Sequence, residues 1–276
     1  MKKNAFEEII PIYDGKPEDF VWVGFGSGSG TNLRECAKKV SLPSLIVCNR
    51  PKAELLDLEI LNDVHKIILD SYKSCGSYLK AKDDEATLIQ YHKRSKEFDE
   101  LIVESLRQWE DIIEKPIDLI VLGGYMKFVG EPLLEAYRDR IINVHPSPLH
   151  ILDKNYQRVY VGDNAVKDVI KDKLIYTASS VIIVDEGIDH GEILVEGPEL
   201  EVPYSLREKK VTDFEKECKK FQSKQKIISD WPALTTALQY IRDGRFGIGV
   251  RKDFCREWRT IYLDGKPLPY EGLKLK

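Results

Sequence analysis

Asn143 and His145 are the residues whose types and spacing best fit a chemical role. They follow the apolar pair Ile141-Ile142, and Pro146 comes directly after them. Residues two apart in a β-strand project from the same face, and proline interrupts strand hydrogen bonding, so the pattern predicts two polar groups at a strand end. An amide and an imidazole can both donate hydrogen bonds to a developing oxyanion, and the imidazole can also move a proton. The pair therefore indicates attack on a carbonyl; the alternative is a strand-end histidine bonded to a loop carbonyl.

A second polar segment follows about forty residues later, in the acidic turn from Asp185 to Gly191. A carboxylate beside an imidazole orients the ring or favours its protonated form. The turn therefore offers candidate carboxylates to assist His145.

The elements that must position these residues alternate between short apolar runs and helical patterns. This alternation predicts a single α/β domain with a mostly parallel, Rossmann-like sheet from residue 20 to 276, behind a tail of residues 1–19. The predicted strands are Phe20–Phe25, Ser44–Cys48, His65–Leu69, Ile117–Leu122, Ile141–Val144 and Ala178–Val184, with an extended segment over Ile193–Val202 and short strands around Ile261–Leu263.

Two polar stretches interrupt this alternation. Residues 72–95 are weakly periodic and predict a mobile insert before a long helix over Lys96–Glu114. Residues 206–228 are rich in lysine and glutamate and predict an exposed extra helix. The other predicted helices are Leu33–Val40, Ala53–Leu61, Glu131–Tyr137, Asn164–Lys171 and Ala233–Ile241.

Composition excludes several classes of protein. The chain has 276 residues, of which 42% are hydrophobic, enough to build a substantial core. Its net charge of −4 provides no basic field for nucleic-acid phosphates, so no nucleic-acid partner is expected. The five cysteines lack C-x-x-C spacing, which indicates reduced thiols and no metal site. Without a signal peptide or long apolar segment, the sequence predicts a cytoplasmic protein that does not span a membrane.

A glycine-rich stretch starting at Gly26 stands between the first predicted strand and a helical pattern. This order is typical of phosphate binding, because amides at a helix N-terminus favour anions. The dinucleotide pattern G-x-G-x-x-G fails at Thr31, and Asn49-Arg50 replaces a ribose-binding acid. The stretch therefore favours a single phosphate at Gly30, Thr31 and Asn32; the alternative is that the glycines only allow close packing of the helix.

Several segments stand in the order found in folate-dependent formyltransferases, a family that this chain resembles over most of its length. Each segment alone is weak evidence, whereas their joint occurrence in order is specific. The segments are Gly28-Ser29-Gly30-Thr31-Asn32-Leu33, Val47-Cys48-Asn49-Arg50, Asp118–Lys127, Ile142–Ser147, Gly187–Ile193, Asp243–Phe246 and Asp264–Pro269.

The resemblance implies a catalytic role for three residues. Asn143 and protonated His145 would polarise the formyl oxygen. Asp189 would keep His145 charged and help to move a proton through water. The amine of the acceptor would then attack the formyl carbon.

The resemblance also implies the binding residues. The folate pterin would be held by backbone groups, while the side chains of Met126 and Phe128 are expected to be core residues. The pterin segments would be Met126, Lys127, Phe128 and Val129, together with the turn of Glu186, Gly187 and Ile188.

The acceptor's phosphate would be received by Gly30, Thr31 and Asn32. The family places a basic residue just before the long helix, and Lys96 is our choice for it, with Arg94 as the alternative. Asp230 falls where the family has a glutamate that contacts the sugar.

These roles predict an N-formyltransferase that uses 10-formyltetrahydrofolate as a co-substrate and needs no metal. The leading acceptor is glycinamide ribonucleotide, which would place the enzyme in purine biosynthesis, as a monomer or homodimer. The two small molecules are expected to meet over the carboxyl ends of the central strands. A transfer-RNA formyltransferase is disfavoured, because the C-terminal segment is too short and insufficiently basic for an RNA-binding domain.

Other functions remain open. The enzymatic alternatives are an amino-sugar nucleotide N-formyltransferase, a formyltetrahydrofolate hydrolase in which water replaces the amine, and a dinucleotide-dependent oxidoreductase. The alternative of another class is a non-catalytic module that binds folate or a nucleotide.

The segment after Ser147 departs from the family pattern. The family continues with Leu-Leu-Pro and then a loop with glycine and histidine that closes on the acceptor, whereas this chain has Pro148–Tyr156. His150 in this rebuilt loop is either a substitute proton carrier or a solvent-facing histidine. The rebuilt loop and the insert of residues 72–95 leave the identity of the acceptor open.

Overall fold

The computed structural model describes residues 8–253 and 256–276. Cys255, one of the five cysteines, lies outside these residues, and the other four are buried free thiols. The strands are β1 (Glu8–Pro11), β2 (Trp22–Gly26), β3 (Leu45–Cys48), β4 (His65–Ile68), β5 (Leu119–Leu122), β6 (Ile141–His145), β7 (Tyr176–Thr177), β8 (Ser180–Ile183), β9 (Ile193–Glu196), β10 (Leu200–Glu201), β11 (Phe246–Asp253), β12 (Arg256–Leu263), β13 (Lys266–Pro267) and β14 (Leu273–Lys274).

The helices stand between these strands, and a π-helical turn, Lys226–Asp230, joins the last two of them. The helices are α1 (Thr31–Lys39), α2 (Ser71–Cys75), α3 (Tyr78–Ala81), α4 (Glu85–Ile113), α5 (Glu131–Ala136), α6 (Ala165–Lys171), α7 (Tyr204–Arg207), α8 (Phe214–Gln225) and α9 (Trp231–Arg242).

The central sheet has eight strands in the order β14-β9-β8-β6-β5-β2-β3-β4. Strand β2 pairs in parallel with β3 and β5, β3 with β4, and β14 with β9, whereas β8 and β9 are antiparallel. A second sheet has the order β1-β11-β12-β13 and is antiparallel. The predicted α/β class with a mostly parallel central sheet is therefore confirmed.

The chain divides into two compact units, and one of them is Val21–Ile142. Strands β2, β3 and β5 are buried along their whole length, because both faces of these apolar runs are covered. Helix α1 follows β2 directly, so its N-terminus lies at the carboxyl end of that strand.

The other unit contains, among the described residues, 8–20, 143–253 and 256–276. Residues 8–11, which we assigned to a tail, form β1 and pair with β11. The predicted short strands near the C-terminus are the long hairpin of β11 and β12. This unit also has a core cluster to which α6 contributes Val166, Val169 and Ile170.

The predicted helix over Ala53–Leu61 is wrong, because two short 3₁₀ turns, Glu54–Asp57 and Glu59–Leu61, occupy this segment. The amide of Leu55 donates to the Gly28 carbonyl at 2.9 Å instead of to a helical partner. Leu55 is fully buried, and a Cβ atom on Gly30 would lie 2.3 Å from its Cδ1. Contact with the glycine loop therefore overrides the local helical pattern.

The predicted start of the long helix at Lys96 is also wrong. Helix α4 begins at Glu85, where the Asp84 carboxylate caps it by accepting a hydrogen bond from the Thr87 amide at 2.8 Å. Residues 72–95 are thus largely helical, in α2, α3 and the first turns of α4.

The predicted exposed helix over residues 206–228 is wrong in two respects. It is broken between α7 and α8, where Lys209 has a positive φ of 52°. Its apolar face is buried, since Leu206, Cys218 and Phe221 belong to the same core cluster as α6. The many lysines occupy the opposite face and conceal this pattern in the sequence.

Candidate active site

Strand β6 delivers Asn143 and His145 to its carboxyl end. The strand ends at His145, directly before Pro146, as the sequence predicts. Val144 points to the opposite face, so Asn143 and His145 share one face. Asn143 is half-buried and His145 is buried.

His145 lies between a carboxylate and a carbonyl. Its Nδ1 is 3.3 Å from Oδ2 of Asp189, and its Nε2 is 3.0 Å from the backbone oxygen of Tyr160. Both oxygens accept hydrogen bonds, and an imidazole donates from both nitrogens only when it is protonated. The geometry therefore suits the charged ring, and it contains both the carboxylate contact implied by the family and the loop-carbonyl bond of the alternative interpretation.

The protonation of His145 is set by opposing influences. Burial holds the pKa of His145 below its ordinary value, because the charged ring loses hydration. The negative charge of Asp189 and the Tyr160 carbonyl raise that pKa, and the nearby positive charge of Arg158 lowers it. Proton affinity at this site thus depends on Asp189 more than on any other side chain.

Asp189 is held by the loop that follows Ser147. Its Oδ2 accepts a hydrogen bond from the Gly162 amide at 2.8 Å, and its backbone oxygen accepts one from Nη1 of Arg158 at 2.5 Å. The backbone of Asp189 has a positive φ of 48°, a region that few residues other than glycine adopt. Arg158 was not among the predicted site residues, because no local pattern marks an arginine that bonds to carbonyls about thirty residues away.

The rebuilt loop is a hairpin. Leu152 and Arg158 form an antiparallel bridge, and Asp153 Oδ1 accepts hydrogen bonds from the amides of Asn155 and Gln157 at 2.8 Å. Tyr156 at the tip is exposed. Arg158 thus comes from the returning arm of the hairpin.

His150, near the start of the same loop, is 33% exposed but is bonded to a buried carboxylate, so the choice between a proton carrier and a solvent-facing histidine stays a prediction. Its Nδ1 is hydrogen-bonded to Oε2 of Glu196, a buried carboxylate whose other oxygen is 3.3 Å from Nζ of Lys274. The hydrogen bond to Glu196 raises the pKa of His150. The His150 side chain therefore contacts the region where β9 and β14 pair.

The turn of Glu186, Gly187 and Ile188 is organised by Asp185. One oxygen of this carboxylate accepts the Gly187 amide at 2.9 Å, and the other lies 2.6 Å from Nδ1 of His190. Ile188 is exposed, so the turn presents backbone groups and an apolar side chain at the surface.

The N-terminus of α1, in the unit Val21–Ile142, has buried polar atoms without partners. Gly30 is the N-cap residue at φ 64°, and no side chain caps the helix. Among the described residues, Thr31 Oγ1, Asn32 Oδ1 and Asn49 Oδ1 are buried without a hydrogen-bond partner. Buried polar groups normally have partners. The Thr31 hydroxyl and the amides of this helix N-terminus can donate to an anion such as phosphate, whereas the oxygens of Asn32 and Asn49 are acceptors.

The two basic candidates for this phosphate lie on α4. Lys96 is exposed, and its Nζ is 3.0 Å from Oε2 of Glu131 at the start of α5. Arg94 is also exposed, two residues earlier on the helix. The choice between them stays a prediction.

The segment Met126–Val129 follows β5 and is held in place by a buried ion pair. Nζ of Lys127 is 2.7 Å from Oδ1 of Asp99, and both side chains are buried. The other oxygen of Asp99 accepts the Gly130 amide at 2.8 Å, so one carboxylate of α4 holds both ends of the segment. Asp99 was not among the predicted site residues, because the hydrophobic pattern of α4 does not mark it.

The side chains of Met126 and Phe128 are 60% and 56% exposed, so their assignment to the core is wrong. The Met126 amide donates to Ser27 Oγ at 2.8 Å, which ties this segment to the end of β2. The buried residue of the segment is instead Lys127, whose Nζ lies 5.3 Å from the centre of the Phe98 ring.

Asp230 closes the π-helical turn before α9 and is buried. Its Oδ1 accepts a hydrogen bond from Ser179 Oγ at 2.5 Å. Burial raises the pKa of Asp230. The predicted contact with a sugar stays a prediction.

The described residues also bear on metal sites and membrane spans. Among residues 8–253 and 256–276, no group of three histidine, cysteine, aspartate or glutamate side chains is arranged to hold a metal ion. Within the same residues, every helix is too short or too polar to cross a membrane.

Comparison with known proteins identifies the family. Residues 22–224 match the formyl transferase family model. The chain is 26% identical over 178 residues to phosphoribosylglycinamide formyltransferase of Bacillus subtilis, covering 62% of this chain and 75% of that protein. It is 26% identical to the chloroplastic enzyme of the same name from Vigna unguiculata, although this match spans only 48% of that longer protein.

Solved structures show the same fold. The phosphoribosylglycinamide formyltransferase of Coxiella burnetii superposes with a TM-score of 0.64 at 20% identity, covering 93% of this chain and 99% of that one. The enzyme of that name from Bacillus halodurans gives a TM-score of 0.54 at 25% identity, covering 79% and 94%. The chain therefore belongs to the formyl transferase family and is an enzyme of its folate-dependent class. Within that family it is similar to phosphoribosylglycinamide formyltransferases, as its motifs also indicate.

Proposed function

We propose that this protein transfers a formyl group from 10-formyltetrahydrofolate to the amine of a phosphorylated acceptor. The leading acceptor is glycinamide ribonucleotide, which would place the reaction in purine biosynthesis. The observation that carries the proposal is the pair of buried His145 and half-buried Asp189, 3.3 Å apart, beside Asn143 on the same strand face as His145.

The chemistry follows from the charges of these groups. The amine nitrogen attacks the formyl carbon, and the carbonyl electron pair moves to oxygen to give a tetrahedral oxyanion. The amide of Asn143 donates a hydrogen bond to this oxyanion, which lowers the barrier by on the order of 3 kcal/mol. Protonated His145, whose two N–H groups face Asp189 and the Tyr160 carbonyl, stabilises the oxyanion through its positive charge. When the intermediate collapses, the bond from carbon to N10 of the folate breaks, and the electron pair stays on N10.

Proton transfer completes the balance. The attacking amine loses one proton and N10 gains one, so no net charge is released. Asp189 favours the charged form of His145 through the Nδ1 contact, against the effect of burial, and can relay the proton through water. Positioned acid–base groups of this kind contribute roughly 10² to 10⁴ in rate.

The binding roles are assigned to separate segments. We assign the pterin to backbone groups of Met126–Val129, whose shape Asp99 maintains, and to the turn of Glu186–Ile188. The acceptor's phosphate is assigned to Gly30, Thr31 and Asn32, where buried polar atoms lack partners. Lys96 would add a positive charge, and Asp230 would contact the sugar.

The rebuilt hairpin after Ser147 supports a second candidate acceptor, the amine of an amino-sugar nucleotide. The family uses this loop to close on the acceptor, and here it has a different sequence and ends in an exposed tyrosine. Both candidates share the same donor and the same three catalytic residues.

The test is the absorbance change as 10-formyltetrahydrofolate loses its formyl group. The purified protein is assayed alone, with glycinamide ribonucleotide, and with a panel of amino-sugar nucleotides. A protein prepared identically with Asp189→Asn serves as the control for contaminating activity. We expect turnover that requires glycinamide ribonucleotide.

Other outcomes have defined meanings. Turnover with an amino sugar alone would replace the acceptor but keep the chemistry. Turnover without an amine would identify a hydrolase. Absence of turnover throughout would refute formyl transfer and favour a non-catalytic binding module.

A further inference from the structure

Arg158, in the hairpin where this chain departs from its family, uses all three of its nitrogens. Nη1 donates to the backbone oxygen of Asp189 at 2.5 Å, and Nη2 donates to that of Gly191 at 2.9 Å. Nε donates to the hydroxyl of Tyr270 at 3.0 Å, and the guanidinium lies 5.6 Å from the centre of that ring. The planar guanidinium matches two neighbouring carbonyls in a way that a single ammonium cannot.

The residue that Arg158 holds has an unusual backbone. Asp189 has a φ of 48°, and such a conformation persists in a non-glycine residue only when its surroundings impose it. The two hydrogen bonds from Arg158 hold the backbone on the C-terminal side of this residue, at its own carbonyl and at that of Gly191. They therefore restrain the direction in which the Asp189 carboxylate leaves the backbone.

The hairpin region also restrains the side chains of the pair. The Gly162 amide donates to the Asp189 oxygen that faces Nδ1 of His145. The Tyr160 carbonyl accepts from Ser147 Oγ at 2.6 Å and faces Nε2 of His145. Arg158 is thus the backbone anchor in a network whose other contacts orient the carboxylate and the ring.

We infer that Arg158 is a positioning residue for formyl transfer, fixing Asp189 against His145 through the two backbone carbonyls. This inference rests on the proposed function, since it assigns Arg158 to the same site. It makes the rebuilt hairpin a support for the catalytic pair, in addition to any contact with the acceptor.

Arg158 also acts through its charge. The groups that influence the protonation of His145 are the carboxylates of Asp189 and Asp163, the carbonyl of Tyr160 and the guanidinium of Arg158. Among these, the positive charge of Arg158 lowers the pKa of His145. Loss of the Arg158 charge should therefore change the pKa of His145, whereas loss of its two backbone hydrogen bonds should change the position of Asp189.

The test compares two variants. Arg158→Gln loses both the charge and the pair of guanidinium hydrogen bonds, whereas Arg158→Lys loses that pair but keeps the charge. We expect kcat to fall roughly 10- to 100-fold in both variants, with KM for either substrate within about threefold, because misplacing a catalytic group by about 1 Å can cost 10² in rate. The alkaline limb of the kcat profile should move to higher pH in Arg158→Gln and stay in place in Arg158→Lys.

The matched control is Arg245→Gln, because Arg245 also lies over a tyrosine ring, that of Tyr240, and bonds to Asp264 in the same unit. Its kcat should stay within about twofold of the unmodified protein. Thermal unfolding of each variant reports whether a loss of rate reflects a loss of folded protein.

A second measurement does not depend on activity. NMR titration of the His145 ring should show a higher pKa in Arg158→Gln than in the unmodified protein or in Arg158→Lys. Unchanged kcat and an unchanged His145 titration in Arg158→Gln would overturn the inference while leaving formyl transfer intact. An unmodified protein without formyl transfer would instead refute the proposed function. A loss of rate explained wholly by unfolding in both variants would reduce Arg158 to a structural residue and overturn the inference.

Discussion

The polar atoms around His145 have hydrogen-bond partners, whereas several buried polar atoms at the N-terminus of α1 have none among the described residues. Both nitrogens of His145 face acceptors, and the carboxylate of Asp189 is itself held by the Gly162 amide. At the N-terminus of α1, the side-chain oxygens of Thr31 and Asn32 are buried without a partner among the described residues.

This difference separates two kinds of functional group. A group that stabilises charge during a reaction works best when it is already oriented, because reorienting it would cost free energy at the transition state. A group that binds a ligand can instead have its hydrogen-bonding capacity completed by that ligand. An unpaired buried polar group costs about 1 to 3 kcal/mol, which a bound phosphate would recover for a donor such as the Thr31 hydroxyl. The His145 environment therefore resembles prepared catalytic machinery, and the α1 N-terminus a binding site.

The largest effect should come from disrupting the oriented pair. In Asp189→Asn we expect kcat to fall by roughly 10² to 10⁴, because His145 loses the charge that holds its proton. Asparagine tolerates the positive φ at this position, so the fold should survive. Steady-state kinetics with either acceptor measures the loss, and thermal unfolding shows whether the protein remains folded.

The pH dependence of kcat in Asp189→Asn tests whether Asp189 raises the pKa of His145. Asp189 raises the pKa of His145, so its removal should move the alkaline limb of the residual activity to lower pH. This shift is opposite to the one expected for Arg158→Gln. Turnover close to that of the unmodified protein, with an unmoved limb, would show that the pair is structural.

An intermediate effect should come from removing an unpaired group at α1. In Asn32→Ala we expect the KM for a phosphorylated acceptor to rise roughly 10-fold or more, since a hydrogen bond to a charged group contributes about 1.5 to 3 kcal/mol. The side-chain amide can rotate to present its NH₂ group to an anion. Inorganic phosphate should raise the melting temperature of the unmodified protein and do so much less for the variant.

The control for this experiment is Asn62→Ala, which removes an exposed asparagine from the same unit. Its response to phosphate should equal that of the unmodified protein. Equal phosphate stabilisation in Asn32→Ala would mean that the unpaired oxygens of α1 do not mark the phosphate site.

The smallest effect should come from Asp230, a buried carboxylate that has a partner in Ser179. Burial raises its pKa above the value in the unfolded chain, so the folded protein loses stability as pH rises through that pKa. Asp230→Asn keeps a hydrogen-bond acceptor without the charge. We expect a melting temperature higher by a few degrees at pH 8, with the gain disappearing on acidification.

Acceptor kinetics of the same variant test the assigned sugar contact. A raised KM for the acceptor in Asp230→Asn would support that contact. An unchanged KM together with the higher melting temperature would place Asp230 among the structural groups. A lower melting temperature at pH 8 would show that the charged carboxylate stabilises the fold.

Much of the scaffold was predictable because its signals are local. Apolar runs such as Leu45–Cys48 and Leu119–Leu122 can be buried only as central strands, and Pro146 ends β6 where the sequence predicts. Local patterns failed where a distant contact decides the conformation. Because Leu55 packs on the glycine loop, its segment forms 3₁₀ turns and not the predicted helix. In α8, Cys218 and Phe221 are buried, although the many lysines of that segment predict an exposed helix.

By itself, the sequence determined the α/β class, the strand end that carries Asn143 and His145, and, through the order of its motifs, the formyl transferase family. These follow from side-chain periodicity, from the backbone chemistry of proline and glycine, and from motif order, all of which are written along the chain. Only the tertiary structure shows that Asp189 contacts His145 and that polar atoms at the N-terminus of α1 lack partners. It alone also shows that Arg158 donates to the backbone oxygen of Asp189 and that Asp99 accepts from the Gly130 amide. These contacts join residues far apart in the chain, where no local propensity acts, so only the packed fold brings them within hydrogen-bonding distance.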